Sequence, residues 1–181
     1  MGRPIYIERV RAAVAAADAN RLDILLEGAA GACREIRDEF TEPLRKALRS
    51  ADGAMLNCAI KHWQAVGFPP AEARDLLLGI LRRPAKGAWK GVVEQLLAMD
   101  PGNREKVVDT LCGVILGKND TLSQEAALLV ADVVAQGNDP AQRKRAAAAA
   151  VPVLQQMILF ETRIKEARNA LVELQGIPRE P

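Results

Sequence analysis

Few residues in this chain combine the types and spacing that chemistry requires. His62 is the only histidine, and Cys58 stands four residues before it, so a helix would place both on one face. A thiolate and an imidazole are two zinc ligands. A tetrahedral site needs three or four, and no second pair such as Cys-x-x-Cys is present. As nucleophile and base the pair lacks a visible third residue to orient the imidazole. The expectation is no metal, no cofactor and no catalytic residue, with the pair on a half-buried helix surface beside Trp63. The chain also lacks a Gly-rich phosphate loop, a Gly-x-Ser-x-Gly elbow and His-Glu-x-x-His.

Two other places stand out. Arg82-Arg83-Pro84-Ala85-Lys86-Gly87-Ala88-Trp89-Lys90 gathers four cations around a tryptophan at a helix-to-helix turn. Arg and Trp are enriched at protein hot spots, and cations beside an aromatic also suit phosphate contact with base stacking. A third use is structural: the cations satisfy a helix C-terminus while Trp89 enters the core. Asp132 interrupts an apolar run in a helix expected over 121–136, but Glu125, Asp132 and Gln136 form one narrow polar stripe, which predicts solvent exposure.

The elements that must position these residues are helices. Aromatics make up 3% of the 181 residues and Ala about one in six, a composition suited to closely packed helices and unlike that of β-rich domains. The net charge of +2 names no partner and does not by itself argue for nucleic acid. Cys33, Cys58 and Cys112 are an odd count within helical text and read as buried free thiols in a reducing compartment. The N-terminus lacks the apolar stretch of a signal peptide, and no apolar run reaches the ~20 residues of a membrane span. A cytoplasmic protein without membrane insertion is expected, bacterial in its Ala, Arg and Leu usage.

Turn residues punctuate the chain at regular intervals. Asp100-Pro101 and Asp139-Pro140 each read as an N-cap carboxylate before a Pro at the first helical position, and Asp120 or Thr121 reads as a further cap. Asp75-Leu-Leu-Leu-Gly-Ile-Leu81 matches Asp109-Thr-Leu-Cys-Gly-Val-Ile115 at an offset of 34 residues, and Asp100–Lys106 matches Asp139–Arg145 at 39. Such a period is the length of two helices and two turns. It predicts one helical-repeat domain over 1–181: capping helices at 4–27, then units near 29–66, 67–100, 101–138 and 139–176. Gly79 and Gly113 sit mid-helix, where close approach of a neighbouring helix is the expected compensation. After Pro152, Val153, Met157, Phe160, Ile164, Ala167, Leu171 and Leu174 form a heptad stripe, which predicts a long C-terminal helix.

Over 67–176 the alternating helices, the mid-helix Asp and the 34 to 39 residue period resemble HEAT or armadillo-type repeats. Val14–Gly28 is similar to the helical half of an ankyrin repeat, although Asp52-Gly53-Ala-Met-Leu56 departs from the ankyrin Thr-Pro-Leu-His pattern. Either resemblance implies an all-α fold, a right-handed α-solenoid of antiparallel helical hairpins, and binding of proteins or peptides along an extended surface. The expected function is a non-enzymatic interaction module using Arg82, Arg83, Lys86, Trp89, Lys90, Ile164, Arg168 and Leu171. One alternative is a nucleic-acid-binding HEAT-like protein using the basic turn, in the manner of HEAT-like DNA glycosylases, whose catalytic Asp among aromatics has no counterpart in this chain. The other is a subunit that self-assembles through its C-terminal helix.

Overall fold

The structure, a computed structural model, describes residues 3–29, 38–85, 87–117 and 119–175. Its described residues form ten helices and no strand: α1 (Arg3–Ala15), α2 (Ala19–Ala29), α3 (Thr41–Leu48), α4 (Gly53–His62), α5 (Pro70–Ile80), α6 (Trp89–Met99), α7 (Asn103–Ile115), α8 (Asp120–Ala135), α9 (Pro140–Leu159) and α10 (Ile164–Gln175). The fold is all-α. No helix among the described residues is long and apolar enough to cross a membrane. Two compact units are present, one running to Ile80 and including Pro84–Met99, the other comprising Leu81–Arg83 and the chain from Asp100 onward.

In the first unit α4 packs against α2, α3 and α6, and α1 covers α2 and α3. Asp52 starts α4 in extended backbone, its carboxylate accepting from the Met55 N–H at 2.8 Å, so an otherwise orphan donor is satisfied. Met55, Leu56, Ala59 and Ile60 then recur at helical spacing and are buried. Beyond α4 the chain reverses at Gly67, whose φ of 73° is open to glycine at little cost, and the Phe68 N–H donates to the Trp63 carbonyl at 3.0 Å. Polar groups tie the helices together at longer range. Tyr6 Oη donates to the Leu25 carbonyl, and Arg45 reaches both Glu42 and Glu72 while lying over the Phe68 ring.

In the second unit α8 packs against α7, α9 and α10. Its inner face is Ala126, Ala127, Val130, Ala131, Val133 and Val134, small side chains that let helix axes approach closely. Asp139 caps α9 as its sequence predicts, accepting from the Ala141 and Gln142 N–H groups. Glu125, Asp132 and Gln136 are all exposed, in line with the polar stripe.

Several expectations need correction. Asp100-Pro101 does not open a helix: Asp100 accepts from the Gly102 N–H in a turn, and α7 begins at Asn103. Asn119, rather than Asp120 or Thr121, caps α8, its side chain accepting from the Leu122 N–H at 3.1 Å. A Cβ on Gly79 or Gly113 would meet nothing within 4 Å, so close helix approach does not account for either glycine. The long C-terminal helix is two helices. Pro152 lies inside α9, tolerated because it and Ala148, whose carbonyl it leaves without its helical partner, both face solvent. The chain then reverses through Glu161 and Arg163, both at positive φ, with the Thr162 N–H donating to the Met157 carbonyl at 2.7 Å. Met157, Ala167 and Leu174 remain buried and Phe160 does not. A heptad spacing counts apolar residues, and an antiparallel hairpin on one neighbour satisfies the same count as a straight helix.

Candidate functional site

The one cluster of mixed donor side chains among the described residues lies in the first unit, between α2 and α4. Helical periodicity puts Cys58 and His62 one turn apart on α4, as their spacing requires, and both are nearly excluded from solvent, at 7% and 5% exposure. Asp23, on α2, supplies the third group. Its Oδ1 lies 2.6 Å from His62 Nε2, so the imidazole N–H donates to the carboxylate. One ligand atom each from Asp23, Cys58 and His62 lies within 4.8 Å of the others.

Charges around the cluster are matched. Lys61 donates to both Asp23 oxygens, at 3.0 and 3.2 Å, and to Glu27 Oε1 at 3.0 Å, one turn further along α2. Hydrogen bonds from His62 and then Lys61 hold the Asp23 carboxyl below the usual carboxylate range. Hydrogen bonds to Glu27 and then Asp23 push the Lys61 ammonium upward. Burial, reinforced by the negative charge of Asp23, pushes the Cys58 thiol up to about 12. A thiol held in its protonated form is a poor nucleophile. What the three groups can do is hold a proton or, with the thiol ionised, a metal ion.

Asp23 is the residue that sequence reasoning missed. Cys58 and His62 were visible as a pair, but their third partner is 35 residues upstream on another helix. The available signal was weak: Asp23 and Glu27 form an i,i+4 acidic pair, and Lys61-His62 is the only adjacent Lys-His.

Comparison with known family models, curated proteins and solved structures finds no match.

The basic turn is divided between the two units. Arg82 and Arg83 belong to the second, Trp89 and Lys90 to the first. Trp89, expected as a partner contact, is 4% exposed and its indole N–H donates to the Ile80 carbonyl at 3.1 Å, so it packs in the core. Arg82 and Lys90 are exposed and Arg83 is half-buried, its guanidinium pKa lowered by that burial; Lys86 lies outside the described residues. Arg82 also lines a groove of about 460 Å³ with Asp109, Thr110 and Gly113. On α10, Arg168 is exposed while Ile164 and Leu171 are half-buried. Cys58 and Cys112 are free thiols, the first buried and the second half-buried; Cys33 lies outside the described residues.

A surface feature absent from the sequence reading is apolar. In the second unit Leu116, Leu159 and Phe160 are 77%, 75% and 73% exposed. Phe160 walls a groove of about 220 Å³ together with Ile115, Gly117, Ser123, Gln124 and Met157, and Leu116 stands between two of those wall residues in the chain. Leu116 and Phe160 are the C-caps of α7 and α9, where each chain leaves its helix.

Proposed function

We propose that this chain is a non-enzymatic helical-repeat module, a right-handed α-solenoid adaptor that binds a partner protein. The pairing of α7 with α8 and of α9 with α10 within the expected units 101–138 and 139–176 supports the repeat reading. The observation that carries the functional reading is exposed Phe160 on the wall of one groove, with exposed Leu116 and Leu159 each next in the chain to a wall residue. Single exposed apolar residues are ordinary on a protein surface, whereas several around one concavity mark an interaction site. The occupant that fits is an apolar side chain of a partner peptide or helix, with Ser123, Gln124 and Thr162 on the wall to satisfy its polar edges. The free thiols suit a cytoplasmic setting. The nucleic-acid alternative loses its motivating aromatic, because a buried Trp89 offers no face for base stacking.

A photo-crosslinking residue placed at position 160, in the cell that produces the protein, tests this reading. The expected result is a defined protein adduct that is absent when the crosslinker stands at exposed Lys144 and is removed by Leu116→Asp. Adducts with a second copy of the chain alone would replace the adaptor reading with self-assembly. No adduct at position 160 would end both.

A further inference from the structure

We propose that Asp23, Cys58 and His62 form a zinc-binding site that ties α2 to α4. The site is separate from the groove walled by Phe160, and its failure would leave the adaptor reading untouched. The donor set is one sulfur, one nitrogen and one carboxylate oxygen, within 4.8 Å of one another. Tetrahedral zinc, with bonds of about 2.0–2.3 Å, holds its ligand atoms roughly 3–4 Å apart, so the observed cluster needs only side-chain adjustment. The 2.6 Å line from Asp23 Oδ1 to His62 Nε2 must open by about 1 Å to admit an ion in place of the shared proton.

Charge favours the same ion. A divalent cation, the Cys58 thiolate, the Asp23 carboxylate and a neutral imidazole sum to zero. Lys61 is left with Glu27, already 3.0 Å away, and that pair is also neutral. Cys58 and His62 are each more than nine-tenths buried, and an environment of that kind disfavours uncompensated charge. Thiolate and imidazole select zinc over magnesium or calcium, which prefer oxygen. Asp23 is about one-third exposed, so the ion has an entry path and a fourth position that water can fill. On binding, Cys58 Sγ gives its proton to solvent and the His62 proton moves from Nε2 to Nδ1, leaving Nε2 to ligate.

The experiment uses the full chain with Cys33→Ser and Cys112→Ser, so that Cys58 is the one thiol, titrated with cobalt(II) and with zinc. Expected are one ion per chain, a thiolate-to-cobalt charge-transfer band displaced by zinc, a proton released per zinc, and a raised Tm. Cys58→Ser should abolish the band, and Asp23→Asn should weaken zinc at least about tenfold, since even outer partners of metal ligands are worth that much. Absence of the band, or equal zinc affinity in the Asp23→Asn/Cys58→Ser variant, would overturn the site. Should these variants unfold, as judged by circular dichroism, alkylation of Cys58 in the parent decides: slowed about tenfold or more by zinc supports the site, and an unchanged rate overturns it.

Discussion

The two units solve the same packing problem with different side chains. Five of the six aromatics, Tyr6, Phe40, Trp63, Phe68 and Trp89, lie in the first, where Tyr6 meets Phe40 edge-on and both indoles donate hydrogen bonds. The core of the second is Ala, Val and Leu, and its one aromatic, Phe160, faces solvent. The first unit also ties its helices with polar links: Arg45 to Glu72, Lys61 to Asp23 and Glu27, and His62 to Asp23. The second unit carries its own links, from Arg145 to Glu105 and Asp109 and from Arg104 to the Val133 carbonyl, around a core of mostly smaller side chains. The mixed donor cluster lies in the first unit, and the groove walled by Phe160 lies in the second.

This contrast can be broken in order of expected effect. Trp89→Ala should cost about 3–5 kcal/mol of unfolding free energy in a urea titration, through the cavity and the orphaned Ile80 carbonyl. A loss near zero would remove the claim that aromatics hold the first unit. Ala131→Leu should cost about 1–3 kcal/mol, because close helix packing at α8 has no room for the larger side chain. An unchanged urea midpoint would mean the second core is looser than its small residues imply. Gly113→Ala should instead stabilise by about 0.4–1 kcal/mol, since the added methyl meets nothing and the unfolded chain loses freedom.

The smallest effect concerns pH. Arg45 holds the Glu72 carboxyl below its ordinary value of 4.5, chiefly by their hydrogen bond. A depressed folded value means the link contributes above the unfolded pKa and is lost as pH falls through the folded one. Glu72 is about one-third exposed, so solvent screens the pair and the contribution is modest. Denaturant midpoints followed from pH 6 downward should fall less steeply below about pH 4.5 for Glu72→Gln than for the parent chain. Identical acid limbs would detach the ion pair from the stability of the first unit.

Legibility in the sequence varied with the range of the interaction. Asp139 at an N-cap was readable, because a cap is decided within a few residues. The exposed stripe of Glu125, Asp132 and Gln136 was readable from period alone. Asn119 was passed over for Asp120 and Thr121, three adjacent residues all able to cap, among which backbone geometry chooses. The heptad stripe from Val153 to Leu174 hid the reversal at Glu161–Arg163, since no Gly or Pro marks it and positive φ falls on ordinary residues.

Composition and periodicity by themselves determined that this chain is all-α, that Cys58 and His62 share a helix face, and that Glu125, Asp132 and Gln136 face solvent. Those outcomes depend on local backbone propensity and on how often apolar residues recur. Tertiary structure alone decided that Asp23 joins Cys58 and His62, that Trp89 is core, and that Leu116, Leu159 and Phe160 are left exposed with Phe160 walling a groove. Each of these turns on which helix packs against which, and that is fixed by the summed fit of many side chains distant in sequence.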